Sequence, residues 1–335
     1  MRKVTLLVLA GLVLLLGACG PATPTPTPTP TVDVAAVRAR IAQFYPRVDG
    51  STSAHPLQVW LACEILGVSC AWQQELPWES TRRIGPDPLV ELDPDVAQTI
   101  FDIQHSGTHQ AYVNLIEGQT DFILVARAPS EDELQAARTR RVLLDLQPVA
   151  LDAFVFLVNG GNPVDALPLE TIRDIYTGQI TDWRDLEAFT APVGEEGTTI
   201  RTYSRNPNSG SQELMESLVM RGAEMVESPD LMLMSMSGPI MAMGGDPYGI
   251  GYSVYFYAAF MQPHEQVKLL GVDGVLPTSA NIADRSYPLV TEVYAVVRAG
   301  MPQGHPAMLL RDWLLTPDGQ ATLAESGYVP IGNGA

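Results

Sequence analysis

An arginine and a cluster of hydroxyl residues lie close together between residues 204 and 215. Arg205 comes four residues before Ser209-Gly210-Ser211, and residues 212–220 are predicted to form a helix. The first amides of a helix lack intrahelical partners and carry the positive end of its dipole, so a helix N-terminus binds anions. A guanidinium adds a permanently charged fork that fits an oxyanion. The segment therefore predicts an oxyanion site, although Ser209 and Gln212 also have the spacing of a simple helix cap.

Two other hydroxyl-rich segments precede predicted helices. Residues 48–57 contain Gly50, three hydroxyl residues and a proline placed to begin a helix. In residues 105–112, hydroxyls again precede a helix, and residues 121–126 then form a nearly continuous apolar strand. Helices alternating with short apolar strands indicate an α/β fold with parallel strands. In such folds, ligands bind beyond the carboxyl ends of the strands, at the loops that lead into the helices. The three turns are therefore expected to converge on one anion.

The first 33 residues have the composition of an export signal followed by a tether. Arg2 and Lys3 precede an apolar run over residues 4–16, which is shorter than the ~20 apolar residues that a membrane-spanning helix needs. Residues 16–19 resemble the lipobox of bacterial lipoproteins, which predicts a signal peptide over residues 1–18 and a lipid on Cys19. Alternating Thr and Pro residues then predict an extended tether over residues 19–33. The protein is expected at the extracytoplasmic face of the cell membrane.

The length and charge of the chain limit its architecture and its partners. More than 300 residues remain after the predicted signal, which suits two lobes. Predicted strands at 154–158 and 290–297 would cross between them, giving a first lobe of residues 34–153 plus 289–335 and a second of 154–288. The net charge of −18 argues against nucleic acid as a partner. It does not exclude an anionic ligand, because salt screens distant charges within ~10 Å.

Two further cysteines, Cys63 and Cys70, leave two arrangements open. On one continuous helix their spacing would separate them by about 10 Å, beyond the reach of a disulfide. If Gly67 ends the helix, the chain can fold back and a disulfide becomes feasible, as expected for an exported protein.

Motifs along almost the whole chain resemble those of the phosphate-binding lipoproteins of bacterial ABC importers, a branch of the periplasmic-binding-protein-like superfamily. They lie at residues 49–53, 108–112, 154–163, 174–183, 205–212, 249–252, 286–289 and 327–330. The resemblance implies a type II fold of two α/β lobes joined by hinge strands, which close over one anion. It implies a monomer without a cofactor or catalytic residues, which delivers inorganic phosphate to an ABC permease and its ATPase.

The resemblance also implies which residues contact the ligand. These are Thr52, Ser53, Ala54 and the backbone of His55 in the first turn, Thr108 in the second, and Arg205, Ser209, Gly210 and Ser211 in the third, with Asn208 and Gln212 as neighbours.

One departure from the family concerns the aspartate that follows the strand at 121–126 and accepts the proton of hydrogen phosphate. Here residues 126–129 read Ala-Arg-Ala-Pro. Arg127 is then either a second guanidinium on the ligand or a solvated or inter-lobe arginine, and Asp49 or Asp246 could supply the acceptor. Phosphate is the expected ligand, with another oxyanion or a phosphorylated small molecule as the alternative.

Three other functional classes are alternatives to anion binding. A metal-binding receptor would use His105 and His109, which are four residues apart, but no acidic cluster accompanies them. An enzyme is not expected, because Ser209 does not lie in a Gly-x-Ser-x-Gly motif. A sensing or adhesion role without a transporter uses the same kind of fold and stays open.

Overall fold

The computed structural model describes residues 34–74, 81–190 and 197–332. The predicted signal peptide, Cys19 and the tether lie outside these described residues. Within the described ranges, no helix combines the length and apolar character needed to cross a membrane.

The described part of the chain mixes helices and strands. The α-helices are α1 Val34–Gln43, α2 His55–Leu66, α3 Pro94–Phe101, α4 Thr108–Glu117, α5 Glu131–Arg140, α6 Leu169–Tyr176, α7 Gly210–Leu214, α8 Gly238–Gly245, α9 Ser279–Ala283, α10 Pro306–Leu314 and α11 Pro317–Ser326. The strands are β1 Val48–Gly50, β2 Cys70–Gln74, β3 Arg82–Pro86, β4 Phe122–Val125, β5 Leu144–Asn159, β6 Ala166–Leu167, β7 Arg201–Thr202, β8 Ser204–Arg205, β9 Met232–Leu233, β10 Gly249–Val254, β11 Val267–Val272, β12 Val290–Arg298 and β13 Val329–Pro330. Turns of 3₁₀-helix occur at Thr52–Ala54, Trp183–Asp185 and Pro229–Leu231, and π-helix at Met215–Met220 and Tyr257–Met261.

Strand β5 is 16 residues long and changes its partners between Ala153 and Phe154. Its first part pairs antiparallel with β12 and β13, and its last six residues pair antiparallel with β10 and β11. The carbonyl of Leu289 accepts a hydrogen bond from Phe154 N at 2.9 Å, so the returning chain meets β5 at the same point. One strand therefore belongs to both halves of the main sheet, whose order is β1-β4-β12-β5-β10-β7.

The expectation of parallel strands is correct for only some of these pairs. β1 and β4, β7 and β10, β6 and β11, and β8 and β9 pair in parallel. β12 is antiparallel to both β4 and β5. The sheet is mixed because β5 leaves the first half of the sheet whereas β12 returns to it, so the two strands run in opposite directions.

Most elements that position the candidate turns lie where the sequence predicts them. The apolar stretch at 121–126 forms β4, in which every residue is buried, and the stretch at 290–297 forms β12. The helix predicted at 212–220 begins two residues earlier as α7 and continues as π-helix. The hairpin of β2 and β3 could not be predicted from the sequence, because its glutamines and arginines show no apolar alternation.

The disulfide left open by the sequence is formed between Cys63 and Cys70, with their Cα atoms 6.1 Å apart. Gly67 ends α2 with a φ of 72°, in the left-handed region that glycine adopts without strain. The chain then turns back, and Cys70 becomes the first residue of β2. The disulfide thus fixes the base of the hairpin to α2.

Candidate functional site

The three predicted turns meet at a cavity of about 430 Å³. Its lining contains one cation, several hydroxyls and two asparagines, from Thr52, Ser106, Gly107, Thr108, Arg205, Asn206, Asn208, Ser209, Gly210, Met234, Ser235, Met236, Ser237 and Tyr257. The second and third turns are in close contact, because a Cβ atom placed on Gly210 would lie 2.6 Å from Thr108 Oγ1. Among the described residues that line this cavity there is neither a carboxylate nor a histidine.

Arg205 is the cation of the cavity, and it is 6% exposed. Its Nε donates to the carbonyl of Leu233 at 2.9 Å, and Nη1 donates to Ser211 Oγ at 3.3 Å and to Met236 Sδ at 3.2 Å. Within the described ranges, no carboxylate forms an ion pair with it. Burial lowers the pKa of the guanidinium, and the phenols of Tyr252 and Tyr257 act in the opposite direction. A buried charge without a countercharge is costly, so this arginine favours an anion in the cavity.

A second set of contacts fixes the backbone of Arg205. Its backbone N–H donates to Tyr252 Oη at 2.9 Å and to Gln212 Oε1 at 3.3 Å. The Tyr252 hydroxyl donates to the same Gln212 oxygen, and Gln212 Nε2 donates to Glu216 Oε1 at 2.9 Å. Gln212 and Ser211 therefore lie behind the arginine rather than in the cavity lining, and they position it.

The third turn supports both interpretations of Ser209. Asn208 has a φ of 65°, a left-handed conformation that asparagine tolerates better than most residues. Ser209 Oγ accepts a hydrogen bond from Gln212 N at 3.2 Å, which makes it the cap of α7, and the residue also lines the cavity.

The first turn contributes fewer groups than the sequence predicts. Thr52 lines the cavity, but Ser53 and Ala54 are buried behind it. The N–H of Ala54 donates to Ser51 O at 2.9 Å, and the N–H of His55 donates to Thr52 O. The 3₁₀-turn thus uses the amides of Ala54 and His55 internally, and their contacts with the ligand stay a prediction.

The His55 side chain faces another histidine rather than the cavity. Its ring centroid lies 4.3 Å from that of His105. Burial lowers the pKa of His55 to about 4, with smaller effects from His105 and Arg83. Within the described residues, no group of three or more His, Cys, Asp or Glu side chains could hold a metal ion. His109, which the metal hypothesis pairs with His105, has its Nδ1 atom 3.0 Å from Glu133 Oε1.

The second turn is held by Asp49, which was one of the two candidate proton acceptors. Asp49 Oδ1 accepts from Ser106 N at 2.9 Å, and Oδ2 accepts from Ser106 Oγ at 2.6 Å and from Asn114 Nδ2 at 2.7 Å. The other candidate, Asp246, is held by Arg201 and by Tyr203 Oη at 2.9 Å. Neither carboxylate lines the cavity at Arg205, and each already accepts hydrogen bonds from other residues.

Arg127, predicted either as a second guanidinium on the ligand or as a solvated or inter-lobe arginine, is paired with a carboxylate. It does not line the cavity at Arg205, and only 7% of it is exposed. Its Nη1 and Nη2 each donate to an oxygen of the buried Glu133 at 2.8 Å. Desolvation disfavours the charged form, but the hydrogen bonds and charge of Glu133 raise the pKa of Arg127 overall. The Ser130-x-x-Glu133 capping box of α5 was the signal that could have located this partner.

Several lining residues have no counterpart in the predicted site. Ser106, Asn206 and Tyr257 line the cavity, and so does the whole segment 234–237. This segment lies at the site because β9 pairs in parallel with β8, which places Leu233 opposite Arg205. Ser235 and Ser237 belong to it, and their Oγ atoms are 3.1 Å apart.

The chain is similar to known binding proteins in sequence and in fold. Residues 89–315, more than half of the chain, match a family model described as a PBP superfamily domain. The phosphate-binding protein PstS of Staphylococcus saprophyticus is 26% identical over 193 residues, which is 56% of this chain and 58% of that protein. PstS of Staphylococcus aureus is 24% identical over 251 residues, covering 72% of this chain and 74% of that protein.

Two solved structures share the fold. A Clostridium perfringens substrate-binding protein with bound phosphate has a TM-score of 0.61 and 22% identity, covering 85% of this chain and 98% of that one. An ABC-type phosphate transport receptor from Vibrio cholerae has a TM-score of 0.57 and 22% identity, covering 84% of this chain and 98% of that one. The described chain thus has the two-lobed α/β fold of these proteins.

Proposed function

The chain belongs to the PBP superfamily, and we propose that it is an extracytoplasmic solute-binding protein that captures inorganic phosphate and delivers it to an ABC permease. The observation that carries this proposal is Arg205, a buried guanidinium in a hydroxyl-lined cavity without a carboxylate partner among the described residues. The names of the Staphylococcus relatives, both phosphate-binding proteins, support the choice of ligand. The protein acts by binding and release, without catalysis or a cofactor.

In the proposed complex, the anion accepts charge-assisted hydrogen bonds from Arg205 and hydrogen bonds from the surrounding hydroxyls. Thr52, Thr108 and Ser209 line the cavity, and Gly210 allows the backbone of the third turn to approach the second. A hydrogen bond to a charged group contributes about 1.5–3 kcal/mol. A proton on the phosphate would be donated to a neutral oxygen, such as a hydroxyl or an asparagine carbonyl, because the described lining has no carboxylate.

We also propose the lobe boundaries at residues 34–153 plus 289–335 and at 154–288. The change of strand partners between Ala153 and Phe154 supports this division. With these boundaries, Thr52 and Thr108 come from the first lobe, and Arg205 and Ser209 come from the second. An anion that contacts both lobes only when they are shut favours the closed state.

The proposal places the protein outside the cytoplasm, anchored through a lipid on Cys19 and acting as a monomer. The disulfide between Cys63 and Cys70 supports an oxidising compartment, since such bonds are rare in the cytosol. The partners are inorganic phosphate and the permease with its ATPase, and nucleic acid is not among them.

Isothermal titration tests the proposed ligand directly. The mature protein, freed of bound anion, is titrated in phosphate-free buffer with phosphate, sulfate and a zinc salt. We expect saturable phosphate binding, and a weak sulfate response would show that neutral oxygens recognise the phosphate proton. Equal affinity for sulfate would instead define a general oxyanion site. The absence of a response to either anion would refute oxyanion capture and direct the search to phosphorylated small molecules.

A further inference from the structure

A buried carboxyl group lies where β5 passes between the two halves of the sheet. Asp152 is 1% exposed and comes directly before Ala153. Its Oδ1 accepts hydrogen bonds from Ala153 N at 2.8 Å and from Phe256 N at 3.0 Å. Its Oδ2 is buried and has no hydrogen-bond partner in the part of the chain that the structure describes. The carboxyl group therefore joins β5 to the segment that follows β10, with one oxygen unsatisfied.

The Phe256 segment connects this carboxyl group to both sides of the anion cavity. The ring of Phe256 is stacked on Tyr328, with centroids 3.8 Å apart and an interplanar angle of 10°. The Tyr328 hydroxyl donates to the carbonyl of Ser53, in the first anion turn, at 2.8 Å. The next residue after Phe256 is Tyr257, which lines the cavity. A shift of Phe256 would thus change the positions of both Ser53 and Tyr257.

Little around Asp152 could compensate a negative charge. Its neighbour on β12 is Thr291, which is neutral, and the titratable group that faces it is the phenol of Tyr328. Its remaining partners are the two backbone amides, and no cation of the described residues acts on it. An ionised carboxylate is costly at such a position, whereas a protonated one is tolerated.

We propose that Asp152 is a positioning residue of the anion site, which supports the closed cavity when its carboxyl group is protonated and loosens it when that group is ionised. The proposal deepens the proposed function and rests on it, because the cavity is taken to hold phosphate. Opening at the Ala153–Phe154 crossing would let water reach the carboxylate, so ionisation favours the open form. Burial raises the pKa of Asp152 to about 7, which places this change near neutral pH.

The direction of the pH effect follows from linkage. Closure that buries Asp152 raises its pKa, so the closed form binds the extra proton and is favoured at low pH. Anion affinity is therefore expected to fall as the pH rises through about 7. Each pKa unit by which closure raises the value corresponds to a loss of up to about tenfold in affinity.

The test compares the phosphate affinity of the wild-type protein and of Asp152→Asn at several pH values from 6 to 8.5. Asparagine keeps the acceptor for the two amides but cannot ionise. The ionisation of phosphate itself is the same in both titrations, so the ratio of the two dissociation constants isolates Asp152. We expect the dissociation constant of the wild-type protein, divided by that of the variant, to grow with pH. At pH 8.5 the variant should bind phosphate more tightly than the wild-type protein. A ratio that does not change with pH would overturn the proposal.

A second measurement needs neither the variant nor a ligand. Hydrogen exchange of the anion-free wild-type protein is followed at the Phe256 amide and at residues 257–261, at pH 6 and pH 8.5, after correction for the intrinsic rates. We expect these amides to lose protection at pH 8.5 relative to β4, and equal protection would contradict the proposal. If wild-type protein does not bind phosphate at any pH, the proposed function fails, while this exchange experiment still decides the role of Asp152.

Discussion

Arg127 and Arg205 are two buried arginines with opposite surroundings. They are 7% and 6% exposed, so burial does not distinguish them. Arg127 binds both oxygens of Glu133, and this partner raises its pKa. Arg205 donates to carbonyl, hydroxyl and thioether acceptors, and burial lowers its pKa. A missing countercharge, rather than burial, therefore marks an arginine that is available to a ligand.

The largest expected effect is the loss of protein stability when the Arg127–Glu133 pair is broken. Arg127→Ala leaves the buried Glu133 carboxylate without its cation, which typically costs about 3–5 kcal/mol. Chemical denaturation of the anion-free protein measures this loss. The double variant Arg127→Met, Glu133→Leu removes both charges and is expected to recover most of the stability. Equal stability of Arg127→Ala and the wild-type protein would show that the pair is not a structural element.

Removal of the other arginine should change binding instead of stability. Arg205→Ala is expected to weaken phosphate binding at least about tenfold, because it removes charge-assisted bonds of about 1.5–3 kcal/mol. Isothermal titration measures the effect, and Arg138→Ala is a control that removes the same charge from an exposed position. An unchanged dissociation constant in Arg205→Ala would remove the central residue of the proposed site.

The contact across the cavity offers a smaller effect that sharpens the same distinction. The Cβ atom of Gly210→Ala would lie 2.6 Å from Thr108 Oγ1, so either the Thr108 side chain rotates or the two turns separate. We expect a loss of about 1 kcal/mol in binding, at the lower end for an added methyl group, because Thr108 can rotate. Gly245→Ala is the matched control, since nothing lies within 4 Å of its added Cβ. Equal affinities of the two variants would mean that the turns do not meet in the bound state.

The smallest expected effect is the loss of the helix cap in Ser209→Ala, and a second variant at this position separates the two roles of Ser209. Ser209→Ala removes the cap of α7, which typically costs about 1 kcal/mol of stability. Ser209→Asp retains an acceptor for the cap but adds a negative charge beside Arg205, and it is expected to fold normally and bind phosphate poorly. Thermal unfolding and titration of both variants measure the two quantities. Normal phosphate binding by Ser209→Asp would place this side chain outside the ligand site.

Each of the three turns can be predicted from the sequence because the signal for each one is local. Their convergence then follows from the α/β fold, in which such turns lie at one edge of the sheet. A hydroxyl or glycine before a helix, as at Thr52, Thr108 and Ser209, can be recognised from a few consecutive residues. The two arginines could not be distinguished in this way, since each side chain is defined by its partners. Glu133 is six residues from Arg127, but the carbonyl of Leu233 is 28 residues from Arg205.

The remaining differences between the predicted and the observed surroundings of the cavity have the same origin. Segment 234–237 carries no motif and reaches the cavity only through the pairing of β8 with β9. The amides of Ala54 and His55 were expected at the ligand, but a 3₁₀-turn, which the sequence does not reveal, uses them. The fold was more predictable than the site, because apolar strands such as β4 are recognisable by themselves, whereas side-chain partners depend on distant pairing.

The position of β12 in the sheet makes the complete fold depend on a late part of the chain. In the order β1-β4-β12-β5, this strand, from residues 290–298, separates two strands made much earlier. Until those residues have emerged, β4 exposes an unpaired apolar edge, and such edges promote aggregation. Contacts between distant parts of a chain also slow folding. The first anion turn depends on an even later residue, because the Tyr328 hydroxyl donates to the carbonyl of Ser53. A chain that lacks residues 290–298 is therefore expected to aggregate more readily than the complete chain.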